Sequence, residues 1–151
     1  MNKLVAQTMA KKENGEKGFT LIELLVVVII IGILAAIAIP VFLNMRQGAW
    51  KSSVESDVNN AILAVEQAAQ ANNGSYKGLD DTKATATGKT DKAAAAAGTI
   101  GSQSFSASDG NTITVKIDAT NTGYTVEGKN TNVDETYTYA SSSGSKEWKK
   151  K

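Results

Sequence analysis

The chain has 151 residues, a formal charge of +1, and neither cysteine nor histidine. Disulfides, thiolate nucleophiles and Cys-based metal centres are therefore excluded, and the commonest general base and metal ligand is missing. The near-neutral balance predicts no broad nucleic-acid footprint, and the length suits one domain.

Residues 1–18, MNKLVAQTMAKKENGEKG, are polar and carry Lys3, Lys11, Lys12 and Lys17 against Glu13 and Glu16. Residues 19–43, FTLIELLVVVIIIGILAAIAIPVFL, follow with a single charge, Glu23. As a helix this run reaches about 37 Å, more than a ~30 Å hydrocarbon core requires. It is too long for the apolar core of a secretory signal, and no small-residue cleavage site follows Phe42. It reads as an N-terminal anchor, and the leader lysines favour an N-in, C-out orientation. Gly32 and Pro40 interrupt the run. Pro40 offers no N–H to the carbonyl of Ala36, so a kink or weak point is expected, either as a tolerated membrane-helix proline or as a hinge.

From residue 44 to 73 the helical pattern continues in amphipathic form. Val54, Val58, Ile62 and Val65 recur at helical spacing with Ala61, Ala68 and Ala69 beside them, while Lys51, Glu55, Asp57, Asn59 and Glu66 fill the other side. NNGSY at 72–76 marks the stop, with Gly74 as the expected cap. A helix from about Phe19 to Asn73 is roughly 80 Å long, more than a small domain can cover. Half of it is expected to enter a membrane or other subunits.

Residues 74–101 read as a connector. DKAAAAAG offers a short helix with Asp91 or Thr90 as N-cap and Gly98 as stop, against the alternative of a low-complexity link. Period-two alternation begins near residue 102. SFSAS precedes Asp109-Gly110, a hairpin signal, and TITVKID, YTVE and TYTYA supply further strands. A three- or four-stranded antiparallel meander over 102–151 is predicted to pack on the Val54–Val65 stripe. The fold class is α+β: one long N-terminal helix against a small C-terminal antiparallel sheet.

Glu23 is the anomaly. A carboxylate inside a span costs about 2.5–3.5 kcal/mol. Either it sits near an interface and reaches water, or it awaits a cation inside an apolar assembly. No Lys, Arg or His lies between Phe19 and Leu43, so any such cation comes from elsewhere. A cut after Gly18 would create an α-amino group on Phe19, about one turn from the carboxylate.

KGFTLIELLVVVIIIGILAAIAIP, residues 17–40, resembles the N-terminal signature of type IV pilins and related pseudopilins. The Gly-Phe junction, the glutamate five residues into the mature chain, the apolar run and the downstream proline all agree with it. The resemblance implies a leader (1–18) removed between Gly18 and Phe19 by a membrane prepilin peptidase, with N-methylation of the new Phe19 amine. It implies that Glu23 pairs with the Phe19 amine of a neighbouring subunit, and that the helix loosens between Gly32 and Pro40 in the filament. The implied protein is a structural, non-enzymatic subunit without cofactor, probed against one alternative: a pseudopilin of a secretion or competence system. Its implied partners are other copies of the chain, the peptidase and methylase, a cytoplasmic assembly ATPase and a platform protein. The precursor is expected in the inner membrane and the mature chain in an extracellular pilus serving adhesion, motility or DNA uptake. Losing the leader removes four lysines and two glutamates, which turns the net charge from +1 to −1.

Many pilins pin their C-terminal segment with a disulfide, and this chain has no cysteine. Packing and hydrogen bonds then hold residues 128–151, or a metal does. Asp118, Asp134 and Glu135, with Asn130 and Asn132 nearby, are loose calcium candidates, against the ordinary role of such residues in turns. The tail SKEWKKK places Lys149, Lys150 and Lys151 after Trp148. Such a run touches DNA in one reading and is a solvated, disordered end in the other.

Overall fold

The computed structural model describes residues 18–91 and 93–150. One helix, α1 (Leu21–Ala71), runs for 51 residues. The chain divides into two units, with the boundary between Phe42 and Leu43.

In the first unit α1 is apolar on every side, and none of its described residues is buried. A helix of this kind belongs in lipid or among other helices. It is long and apolar enough to cross a membrane. It continues through Gly32 and Pro40 without a break: the proline deletes one backbone hydrogen bond, and the turns on either side keep theirs.

The second unit is α+β. Strands β1 (Thr85–Thr87), β4 (Asn111–Ile117), β5 (Tyr124–Asn130), β6 (Glu135–Ala140) and β7 (Ser145–Lys150) form an antiparallel sheet in the order β1-β4-β5-β6-β7. Strands β2 (Gly98–Ile100) and β3 (Gln103–Phe105) form a separate hairpin. Alternation decides which face is buried: Ile113, Val115, Tyr124, Val126 and Tyr137 point to the core. Facing them, α1 buries Val54, Val58, Ala61, Val65 and Ala68. Ala61 takes the fully buried place that periodicity alone assigned to Ile62, which sits at the margin of the core. The small side chain brings the helix close to the sheet. Gly128 does the same from the other side: a Cβ there would lie 2.5 Å from Val54 Cγ1 and 2.6 Å from Val58 Cγ2.

Five sequence expectations change. The helix ends in a left-handed cap, but Asn73 leads it (φ 58°), and Gly74 donates its N–H to Ala69 O at 2.8 Å. DKAAAAAG forms no helix among its described residues. Thr90 and Ala93 bridge, as do Thr87 and Ala96, because five exposed alanines bury too little to repay helix nucleation. The 74–101 segment is a laced connector, not a plain one: it contributes β1 and β2, buries Ala84 and Ala86, and accepts the Val115 N–H on Ala84 O. Asp109-Gly110 does form a tight turn, with Asn111 N–H donating to Ser108 O at 2.9 Å. It does not join paired strands, since β3 pairs with β2. Finally, the lysine-rich tail is ordered strand through Lys150. The meander therefore gains β7 at one edge and β1 at the other.

Candidate functional site

The segment Gly18–Glu23 begins where the backbone enters α1. Phe19 is 87% exposed. Thr20 is the N-cap: its carbonyl accepts from Leu24 N–H at 3.2 Å, and its Oγ1 accepts from Glu23 N–H at 3.3 Å. Glu23 reaches back. Its Oε2 accepts from Thr20 N–H at 2.8 Å and from the Thr20 hydroxyl at 2.8 Å. This is a reciprocal capping box, T-x-x-E, closing the first turn.

The box answers how a carboxylate tolerates an apolar helix that has no basic residue between Phe19 and Leu43. Two short hydrogen bonds and the positive end of the helix hold the charge without a cation. It also places Glu23 one residue from Phe19. Sequence reasoning overlooked this arrangement, although Thr20 and Glu23 stand at capping-box spacing directly before an apolar run. Residues 1–17 of the expected leader lie outside the described residues, while Gly18 and Phe19 are both described and exposed.

In the second unit polar side chains tie the helix to the sheet. Asp57, assigned by periodicity to the polar side, is buried. Its carboxylate accepts from Ser108 N–H (2.7 Å), Ser108 Oγ (3.0 Å) and Asn111 Nδ2 (2.7 Å). Asn111 Oδ1 in turn accepts from Asn130 Nδ2 at 2.7 Å. Glu66 accepts the Tyr124 hydroxyl at 2.6 Å and the Tyr76 hydroxyl at 3.2 Å. Burial, reinforced by the Glu66 carboxylate, pushes the Tyr124 phenol well above its ordinary range, and Tyr76 moves the same way. Without a disulfide, β7 is held by Trp148 Nε1 donating to Glu55 Oε1 at 2.8 Å and Lys146 Nζ donating to Asn59 Oδ1 at 2.7 Å. Lys51 pairs with Glu135 and lies over the Trp148 ring.

The calcium candidates are not brought together. Asp118 opens the β4–β5 turn, while Asp134 and Glu135 lie at the other end of β5, and Glu135 already faces Lys51. Among the described residues no three acidic side chains converge. Lys149 pairs with Glu147 at 2.7 Å. Lys150 ends β7, and Lys151 lies outside the described residues. The basic run is thus interleaved with acid, and no single-sign patch forms from Lys149 and Lys150.

Comparisons with known proteins match part of the chain. Residues 14–39 match the family model described as the prokaryotic N-terminal methylation motif. Over 51 residues the chain is 53% identical to a type IV major fimbrial protein FimA of Dichelobacter nodosus, covering 34% of this chain and 33% of that protein. It is 48% identical over 60 residues to the type IV wide pilus major component PilA4 of Thermus thermophilus, covering 40% and 45%. A fimbrial protein of Pseudomonas aeruginosa is 47% identical over 55 residues, covering 36% of each chain. The matched stretch spans about a third to under half of these relatives. No solved structure gives a significant match.

Proposed function

We propose that the chain, which is similar in part to type IV major pilins and carries the N-terminal methylation motif, is a structural subunit of a type IV pilus. The precursor sits in the inner membrane with residues 19–43 across the bilayer, N-terminus inward. Prepilin peptidase cuts between Gly18 and Phe19, and the Phe19 amine is methylated. Before assembly Glu23 is held by Thr20. In the filament it exchanges that partner for the Phe19 amine of a neighbouring subunit.

The observation that carries this reading is the capping box itself. A carboxylate held, among the described residues, by neutral donors in an apolar helix gains from a cation, because charge-assisted pairing is stronger than either neutral bond in a dry core. Lipid-to-helix transfer supplies little hydrophobic energy, so packing at small residues (Gly32, Ala35, Ala36, Ala38) and this pair set the register. Loosening between Gly32 and Pro40 would let packed helices adjust, at the one point where Pro40 has already removed a hydrogen bond. Extraction from the bilayer needs work from an assembly ATPase acting through a platform protein.

Similarity to a major fimbrial protein and to a wide pilus major component favours a filament-forming pilin over a pseudopilin. Adhesion, motility and DNA uptake are alternative uses of the same filament. The deciding experiment is mass spectrometry of sheared surface filaments. An N-terminal peptide starting at methylated Phe19, abundant in the filament fraction, is the expected result. A different start site overturns the processing, and absence of long filaments in a secreting strain favours the pseudopilin.

A further inference from the structure

We propose that Arg46 and Trp50 form a lipid-headgroup anchor that sets how deeply the precursor enters the bilayer, at the C-terminal end of its apolar run. This rests on residues 19–43 being a membrane span. Arg46 and Trp50 follow Leu43 by three and seven residues in the same helix. One helical turn apart, they stack, with the guanidinium carbon 4.9 Å from the indole centroid. Arg46 is exposed and Trp50 half-buried, and Met45 beside them is exposed as well.

The other tryptophan makes the contrast. Trp148 donates its indole N–H to Glu55, lies against Tyr137 and carries Lys51 over its ring. It is part of the sheet. Among the described residues none accepts a hydrogen bond from the Trp50 indole. Lys51, next in line, is committed to Glu135. Arg46 is the first cation after the apolar run of residues 19–43, and it is stacked on an amphipathic ring. Tryptophan settles at headgroup depth, and a guanidinium matches phosphate oxygens in a way an ammonium does not. The occupant is the phosphate layer of the bilayer, chosen for charge complementarity and continuity with the span.

Trp148→Phe chain in phosphatidylcholine–phosphatidylglycerol vesicles tests this by fluorescence quenching with brominated lipids. Bromines near the headgroup are expected to quench Trp50 at least about twofold more than bromines near the acyl ends. Adding Arg46→Gln is expected to raise quenching by aqueous iodide about twofold, as the ring moves toward water. Strongest quenching by deep bromines, no lipid quenching at all, or an Arg46→Gln chain that behaves like its parent overturns the proposal. A control chain carrying Ile30→Trp, Trp50→Phe and Trp148→Phe separates the two readings. Deep quenching there, without shallow quenching of Trp50, sinks the anchor alone, whereas no deep quenching sinks the span and the anchor together.

Discussion

The two parts of α1 use the same backbone for opposite ends. Before Phe42 every turn is apolar and nothing among the described residues is buried. After Leu43 one stripe is apolar and nearly every residue of it is covered by the sheet. The second unit meets its own needs: Asp57 has three donors, the tyrosines have Glu66, and β7 is tied by Glu55 and Asn59. The first unit satisfies only its charge, through Thr20, and leaves its apolar surface for something else to cover. The difference teaches that stability resides in the second unit, and on the proposed function assembly resides in the first, so mutations in each should have separable effects.

The largest expected effect is on assembly. Glu23→Ala should lower filament number, counted by electron microscopy, by at least about tenfold, since under the proposed pairing the Phe19 amine of the neighbouring subunit loses its counter-charge. It should leave thermal unfolding of the second unit unchanged. Glu23→Gln sharpens the point, because glutamine still closes a capping box but carries no charge. Normal piliation in the glutamine variant would sink the ion-pair reading.

Asp57→Ala should do the reverse, destabilising the second unit by about 3 kcal/mol in urea unfolding by leaving Ser108 N–H without its acceptor and Asn111 Nδ2 with Ser53 Oγ alone. Gly128→Ala should cost about 2 kcal/mol, the cost of pushing Val54 and Val58 off the sheet. Either variant with unchanged unfolding would break the division of labour. The smallest effect belongs to Tyr124→Phe, about 1–2 kcal/mol for one hydrogen bond to a carboxylate. Tyr124 binds its proton more tightly folded than unfolded, so its contribution is complete below an unfolded phenol value of about 10 and is lost as pH rises beyond it. The urea midpoint should therefore fall above that pH, and less steeply in Tyr124→Phe.

The helix and the meander strands were legible because their patterns are local. An apolar run of 25 residues, a four-three spacing of valines and period-two alternation each state their own geometry. The N-terminal signature was legible too, since Gly18, Phe19 and Glu23 stand within six residues. Thr20 stands at capping-box spacing from Glu23, so that partnership is a local pattern as well. Asp57 was another matter. Its place on the helix looks polar, and only Ser108 and Asn111, more than fifty residues away, make burial affordable. The β7 strand was hidden for the same reason: SKEWKK looks like a solvated tail until Glu55, Asn59 and Tyr137 are seen beside it.

By itself, then, the sequence determined where the chain is apolar, where the long helix runs, and which carboxylate stands in the wrong solvent. Those are properties of neighbouring residues and their period. Only the tertiary structure decided which polar groups are buried, which strand closes each edge of the sheet, and that Gly128 lets the helix seat. Each of these depends on groups far apart in sequence meeting at a few ångströms, where desolvation and close packing settle the outcome.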